Sequence, residues 1–293
     1  MSGGFGINRL IVSREIEVLG KFACKIPPLP EGIFGHAMVM NNSNELMVLG
    51  GDRIDIPSDK SKLCFILKNN QWTHHSTLIR RRVHSSAIVM QDGVYIFGGR
   101  PFDPPESHRL CEYLPNNDLN WTILDTHIPR PGLSMSSGIA LSPSKIIFTG
   151  GVNPASRCII TFNTLTKNWK RVGELNQGRW GHTSFLFNGK IIIAGGKNNT
   201  GILSSTEILT IKSRKPREVG RLFEPRWGHG IGVGNIKGTQ KLLVFGGWSV
   251  DNSFLTSVEA WNDDKECWEK TDLHLPQELS HFAYCSKSER NQM

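Results

Sequence analysis

The chain has 293 residues, of which 38% are hydrophobic and 8 are Trp, and its 34 Lys+Arg against 26 Asp+Glu give a formal net charge of +8. Such an apolar fraction excludes a disordered chain, no apolar run approaches the ~20 residues that cross a membrane, and the opening MSGGFGINRL lacks the apolar stretch of a signal peptide. The basic balance favours anionic partners, RNA or acidic peptide segments, and says nothing of fold.

In chain order the sequence is punctuated by glycine doublets. Gly3-Gly4 comes first and is followed by two strand-like runs, INRLIV and EIEVL. Gly50-Gly51 then closes ELMVLGG, Gly98-Gly99 closes VYIFGG, Gly150-Gly151 closes KIIFTGG, Gly195-Gly196 closes IIIAGG and Gly246-Gly247 closes LLVFGG. Each is a run of β-branched or aromatic residues cut off by glycine, as expected of a buried strand that ends where the backbone bends tightly or takes positive φ. A variable polar loop and a further strand follow each of these doublets: LCFIL, RLCEYL, CIITF, TEILTI and SVEAW. A turn then leads to Trp72, Trp121, Trp169 and Trp268, while the repeat around Gly195 keeps the frame at PREVG without its Trp. About fourteen residues ahead of the doublets stand His36, His84, His182 and His229, with Ser136 in the same place, and His281 begins the last repeat.

The first glycines are spaced 47, 48, 52, 45 and 51 residues apart. The step from Gly246 through the C-terminus and round to Gly3 is one more period of about 50. Four strands per repeat make a sheet that cannot bury both faces alone, and radial packing of six such sheets does so. The predicted fold is therefore all-β, a six-bladed β-propeller over residues 1–293 with one blade built from both termini. In that blade SHFAYCS is the first strand, and INRLIV and EIEVL are the later ones. Its second strand, KSERNQM joined to MSG, is almost wholly polar, which predicts either a poor strand there or a truncated start.

The arrangement of His, apolar-Gly-Gly, strand and Trp resembles the kelch repeat over the whole chain. Other motifs yield to the repeat. GHGIGVGN spells a G-x-G-x-G nucleotide loop, but such a loop needs a strand-to-helix turn; here it aligns with GHTSFLFN and reads as a first blade strand. The repeating histidines predict one structural hydrogen bond per blade, because a catalytic constellation is asymmetric. The six cysteines (Cys24, Cys64, Cys111, Cys158, Cys267, Cys285) contain no CxxC pair, which predicts reduced thiols in a cytoplasmic protein. No catalytic residue, metal or cofactor is expected.

The arginines are the functional lead. Arg81, Arg179 and Arg226 each precede a repeat histidine by three residues, joined by Arg80 and Arg82 in LIRRRVH and by Trp180 and Trp227 in the two RWGH stretches. Repeat geometry would gather them on one rim, where guanidiniums hold carboxylate or phosphate and indoles stack on bases or cations. GGFG, MVLGG, GGRPFDPPE and HTSFLFNGKIIIAGG are similar to the C-terminal kelch domain of the tRNA wybutosine-synthesising, leucine carboxyl methyltransferase-like family. That resemblance implies an accessory propeller whose methyltransferase domain lies upstream and which contacts tRNA. A free-standing adaptor binding a protein partner or acidic peptide is the alternative.

Overall fold

The computed structural model describes residues 33–52, 62–99, 109–129, 133–152, 155–210, 213, 215–251 and 253–275, with residues 27, 29 and 30 and the strands β1 (Glu15–Ile16) and β2 (Cys24–Lys25). β1 and β2 pair antiparallel, Glu15 opposite Lys25. Five four-stranded antiparallel sheets follow in chain order. The first blade is β3 (Ala37–Met40), β4 (Leu46–Leu49), β5 (Leu63–Lys68) and β6 (Gln71–Thr77); the second is β7 (Ser86–Met90), β8 (Gly93–Phe97), β9 (Leu110–Pro115) and β10 (Thr122–His127). The third is β11 (Ser137–Ser142), β12 (Lys145–Thr149), β13 (Cys158–Asn163) and β14 (Trp169–Glu174). In the fourth, β15 (Thr183–Phe187) and β16 (Lys190–Ala194) lead through a small hairpin, β17 (Lys197–Asn198) and β18 (Gly201–Ile202), to β19 (Thr206–Thr210) and the two-residue β20 (Arg217–Glu218). The fifth is β21 (Gly230–Ile236), β22 (Thr239–Phe245), β23 (Ser257–Asn262) and β24 (Cys267–His274).

Each blade is a meander of four strands, and the first strands of successive blades are neighbours, so the sheets stand radially in a ring. The fold is an all-β propeller. The strands ahead of the doublets are the apolar runs, and β4 and β8 are buried along their full length. They are sealed by apolar layers between blades rather than by one central core. Met47, Leu49 and Ile66 of the first blade pack with Val94, Ile96 and Trp121 of the second. Phe97 of the second blade meets Phe148 and Phe162 of the third at ring-centroid distances of 4.9 and 5.4 Å. GHGIGVGN forms β21, as the repeat predicts, and PREVG supplies β20.

The doublets sit at the blade junctions. In all five described doublets both glycines take positive φ, for example Gly98 at 64° and Gly99 at 99°. A Cβ on Gly98 would stand 1.9 Å from the Leu133 carbonyl oxygen of the next blade, so only glycine fits. The second glycine donates its N–H across the junction: Gly51 to Arg82 O (2.8 Å), Gly99 to Leu133 O (3.2 Å), Gly151 to Arg179 O (2.9 Å) and Gly196 to Arg226 O (2.8 Å). The strands assigned to a sixth blade, INRLIV and SHFAYCS, together with Gly3-Gly4 and His281, lie outside the described residues.

Candidate binding rim

The loop that leads into each first strand carries the predicted site, and the structure resets its register in the second blade. The residue just ahead of the repeat histidine position has positive φ in each of the five described blades: Gly35, His84, Met135, Gly181 and Gly228, at 54–61°. These five are linked by hydrogen bonds from blade to blade, from His84 N to Gly35 O (2.7 Å), Met135 N to His84 O (3.1 Å), Gly181 N to Met135 O (2.9 Å) and Gly228 N to Gly181 O (2.7 Å). They ring a cavity of about 140 Å³ that His36, Ser85, Ser136 and His229 also line. His84 thus occupies the glycine's place, Ser85 the histidine's, and Arg82, not Arg81, is the repeat arginine. His182 and His229 are wedges between blades. His182 Nε2 meets Thr149 Oγ1 at 2.9 Å and His229 Nε2 meets Thr183 Oγ1 at 2.8 Å, each on the preceding blade. Burial lowers the His36 imidazole to about 4 and that of His182 to about 3, and holds His229 well below the ordinary value, so all three are neutral at pH 7.

The repeat arginines do not face solvent. Arg82, Arg179 and Arg226 are 1%, 0% and 0% exposed, each paired inside its own blade with a glutamate of the third strand. Arg82 Nε lies 2.9 Å from Glu112, while the NH2 groups of Arg179 and Arg226 lie 2.8 Å from Glu207 and Glu259. Each guanidinium also donates to the carbonyl of the first doublet glycine, Gly98 (2.6 Å), Gly195 (2.8 Å) or Gly246 (2.9 Å). The glutamates accept two further backbone N–H groups, such as Asn176 (2.8 Å) and Gln177 (3.1 Å) at Glu207. Burial draws the Arg179 and Arg226 guanidiniums down from their ordinary value, and Glu207 and Glu259 offset it. A buried ion pair is tolerable when its remaining hydrogen bonds are made, and here they are. In the first and third blades Ile33 and Leu133 take the arginine's place, and the ladder register puts Phe65 and Ile160 in the glutamate's. These three arginines are therefore scaffold, a correction to the expected binding rim. Arg80 and Arg81 remain half-buried on the same loop, with Arg80 N donating to Glu112 Oε1 at 3.2 Å.

The tryptophans of the RWGH stretches are half-buried on the loops that enter β15 and β21, and their partners carry no repeat signal. Trp180 pairs by backbone with Lys197, Trp227 with Trp248, and Trp248 with Phe254. The Trp227 and Trp248 ring centroids are 6.2 Å apart, those of Trp248 and Phe254 are 4.7 Å apart, and Lys197 Nζ lies 5.2 Å from the Trp227 ring. Phe254 is 39% and neighbouring Val250 64% exposed. Asp251, at the tip of the same loop, is held at about 2 by hydrogen bonds from Ser249 and Ser253. At the equivalent positions the first three blades carry Phe34 and Asp52, Val83, and Ser134 and Val152. Among the described residues the first blade has one aromatic residue here, Phe34, whose ring lies 6.2 Å from that of His84, while the contiguous Trp227–Trp248–Phe254 rings belong to the fifth blade beside Lys197 of the fourth. Among the described residues no group of three or more His, Cys, Asp or Glu is gathered as a metal site, and no helix is long and apolar enough to cross a membrane.

A family model, the KLHDC2/KLHL20/DRC7 Kelch-repeats domain, matches residues 21–196 and 84–289. Among characterised proteins the chain is similar to alpha-scruin of Limulus polyphemus, 26% identical over 228 residues that make up 74% of this chain and 24% of that protein. It is likewise similar to beta-scruin of the same organism (27% identical, 73% of this chain, 24% of that protein) and to Kelch-like protein 40 of Xenopus tropicalis (21% identical, 80% of this chain, 40% of that protein). The chain thus spans between a quarter and two fifths of these relatives' length.

Proposed function

The chain belongs to the kelch-repeat family, and from that premise we propose that it is a non-catalytic binding propeller that engages a protein partner through its aromatic rim. The observation that carries this reading is the Trp180–Trp227–Trp248–Phe254 sector with Lys197. It leaves Phe254 39% exposed beside half-buried Trp180, Trp227 and Trp248, and aromatic anchors dominate protein interfaces. Lys197 and Asp251 place opposite charges at its margins, which suits a mixed-charge protein surface. The relatives are scruins and kelch-like proteins, which favours the adaptor over the accessory domain of a wybutosine-synthesising methyltransferase. Of the rim arginines behind the tRNA reading, Arg82, Arg179 and Arg226 are neutralised by Glu112, Glu207 and Glu259. The free, buried Cys64 and Cys111, whose thiols burial raises to about 12, suit a reducing compartment, and we place the protein in the cytoplasm. The test is selection from a displayed library of natural protein segments on the wild type and on Trp227→Ala/Trp248→Ala. Segments enriched by the wild type and lost on the variant are expected; the same enrichment on both would remove the rim from the interface.

A further inference from the structure

With the repeat arginines cancelled by buried glutamates, the excess positive charge must reside elsewhere, and the structure shows where. The sequence from 212 to 221 carries five basic residues (Lys212, Arg214, Lys215, Arg217, Arg221) against one acid, Glu218. Its described residues, 213 and 215–221, lie at the outer edge of the fourth blade, where β20 has only two residues while the other described outer strands have six to eight. Lys215 is exposed, and Arg217 and Arg221 are 53% and 67% exposed. The outer strand of the third blade, β14, adds exposed Lys170 and Arg171, with Arg157 beside it donating to Leu175 O at 2.7 Å. The two segments are contiguous: Asn176, just beyond β14, donates its side-chain N–H to Pro216 O at 2.9 Å, between Lys215 and Arg217. Neither Lys170 nor Lys215 has an ion-pair partner among the described residues. In the fifth blade the sign reverses, with Asp263, Asp264, Glu266, Glu269 and Asp272 against Lys265 and Lys270 over the corresponding stretch. Three acids, Glu174, Glu218 and Glu266, pair with Arg157 and Arg171, Arg221, and Arg217 on this edge. Among the described residues six cations thus face three carboxylates there, and a net positive charge remains.

We propose that the outer edges of the third and fourth blades, through Lys170, Arg171, Lys215, Arg217 and Arg221, bind an acidic, extended protein segment. This surface lies on the outer strands and is separate from the aromatic rim. An acidic segment fits better than single-stranded nucleic acid because the stretch from 212 to 221 contains no aromatic residue on which bases could stack. Arg171, Arg217 and Arg221 each already meet one carboxylate, Glu174, Glu266 and Glu218, but these pairs are solvent-exposed and weak. With Lys170 and Lys215 they keep a net positive field that attracts an acidic segment.

The experiment is a fluorescence-anisotropy titration of the full chain with a labelled, capped oligoglutamate and with a labelled single-stranded RNA of equal charge, at two salt concentrations. Oligoglutamate should bind, weaken as salt rises, and lose about tenfold in affinity, or about 1.4 kcal/mol, in Lys215→Glu/Arg221→Glu. Lys215→Gln/Arg221→Gln should lose part of it, and serves as the readout if the reversed variant does not fold. Trp227→Ala/Trp248→Ala should bind oligoglutamate as the wild type does, so failure of the rim reading and failure of this one are told apart. No binding, unchanged binding in both charge variants, or tighter binding of RNA than of oligoglutamate overturns the proposal.

Discussion

Arg179 and Glu207 show what one buried pair does in this ring. The guanidinium ties the glutamate to the doublet carbonyl, and the glutamate fixes the loop through Asn176 N and Gln177 N. Removing one partner leaves a buried charge uncompensated, so Arg179→Leu and Glu207→Ile should each cost about 3–5 kcal/mol. The third blade already uses Leu133 and Ile160 at these positions, so the double variant should recover most of that loss. A thermal or urea double-mutant cycle reads it; strictly additive losses would mean that the pair is not a unit. The sequence held the clue. RLCEYL, TEILTI and SVEAW each carry one glutamate in an otherwise apolar strand, and LCFIL and CIITF do not. The same three repeats have the arginine. Periodicity exposes such a pairing only when the two strand positions are compared across repeats, and the off-by-one register at Arg81/Arg82 hid it in the second blade. That slip came from His84, a histidine where the other loops have glycine or methionine.

At the scale of the element, the unit is the junction between blades, where doublet, histidine and threonine meet. His182 reaches Thr149 on the preceding blade, and its imidazole lies against Gly150, where a Cβ would stand 2.5 Å from Cε1. The folded-state values of about 4 for His36 and about 3 for His182 lie below the ordinary 6.5. The unfolded chain therefore takes up protons first as pH falls. Stability is full above pH 7 and is lost from about 6.5 down towards 4 and 3, at up to about 1.4 kcal/mol per pH unit for each histidine. His182→Ser, the solution that Ser85 and Ser136 already provide, should lower stability at pH 7.5 and flatten the decline between pH 6.5 and 4.5. Denaturation midpoints across that range check it, and a wild-type profile with no slope there would contradict the wedge. The strands, doublets and first-strand reading of GHGIGVGN were legible because buried β structure repeats its own chemistry. The aromatic sector was only half legible. Trp180 and Trp227 stand in repeated motifs, whereas Lys197, Trp248 and Phe254 lie in variable loops that no period marks.

At the scale of the whole molecule, five blades form most of a ring, and we propose that a sixth, drawn from both ends of the chain, completes it. Three observations support this. β1 pairs with β2 ahead of the first blade, Trp72 donates its indole N–H to Pro27 O at 2.7 Å, and the family match runs on to residue 289. Trp121 and Trp268 tie successive blades together in the same way, to Ser76 at 3.0 Å and to Thr206 at 2.9 Å, whereas Trp169 joins its blade to the preceding one by ring contact with Phe97. A blade gains stability from its neighbours, so opening the ring exposes two apolar faces at once. Deleting Ser280 to Met293 should lower the cooperative melting midpoint of the entire propeller. An unchanged midpoint would show that the C-terminal strand is not part of the ring.

The central claim is that the buried repeat arginines and glutamates build the propeller while the aromatic sector binds. It is tested most directly by one binding measurement on three proteins: calorimetric titration of a segment selected by the wild type against wild type, Arg179→Leu/Glu207→Ile and Trp227→Ala/Trp248→Ala. Wild-type affinity in the arginine–glutamate variant with at least about tenfold loss in the tryptophan variant, the 2 kcal/mol or more expected of aromatic hot spots, is the predicted result. Loss of binding in a folded arginine–glutamate variant, with the tryptophan variant unaffected, would contradict it.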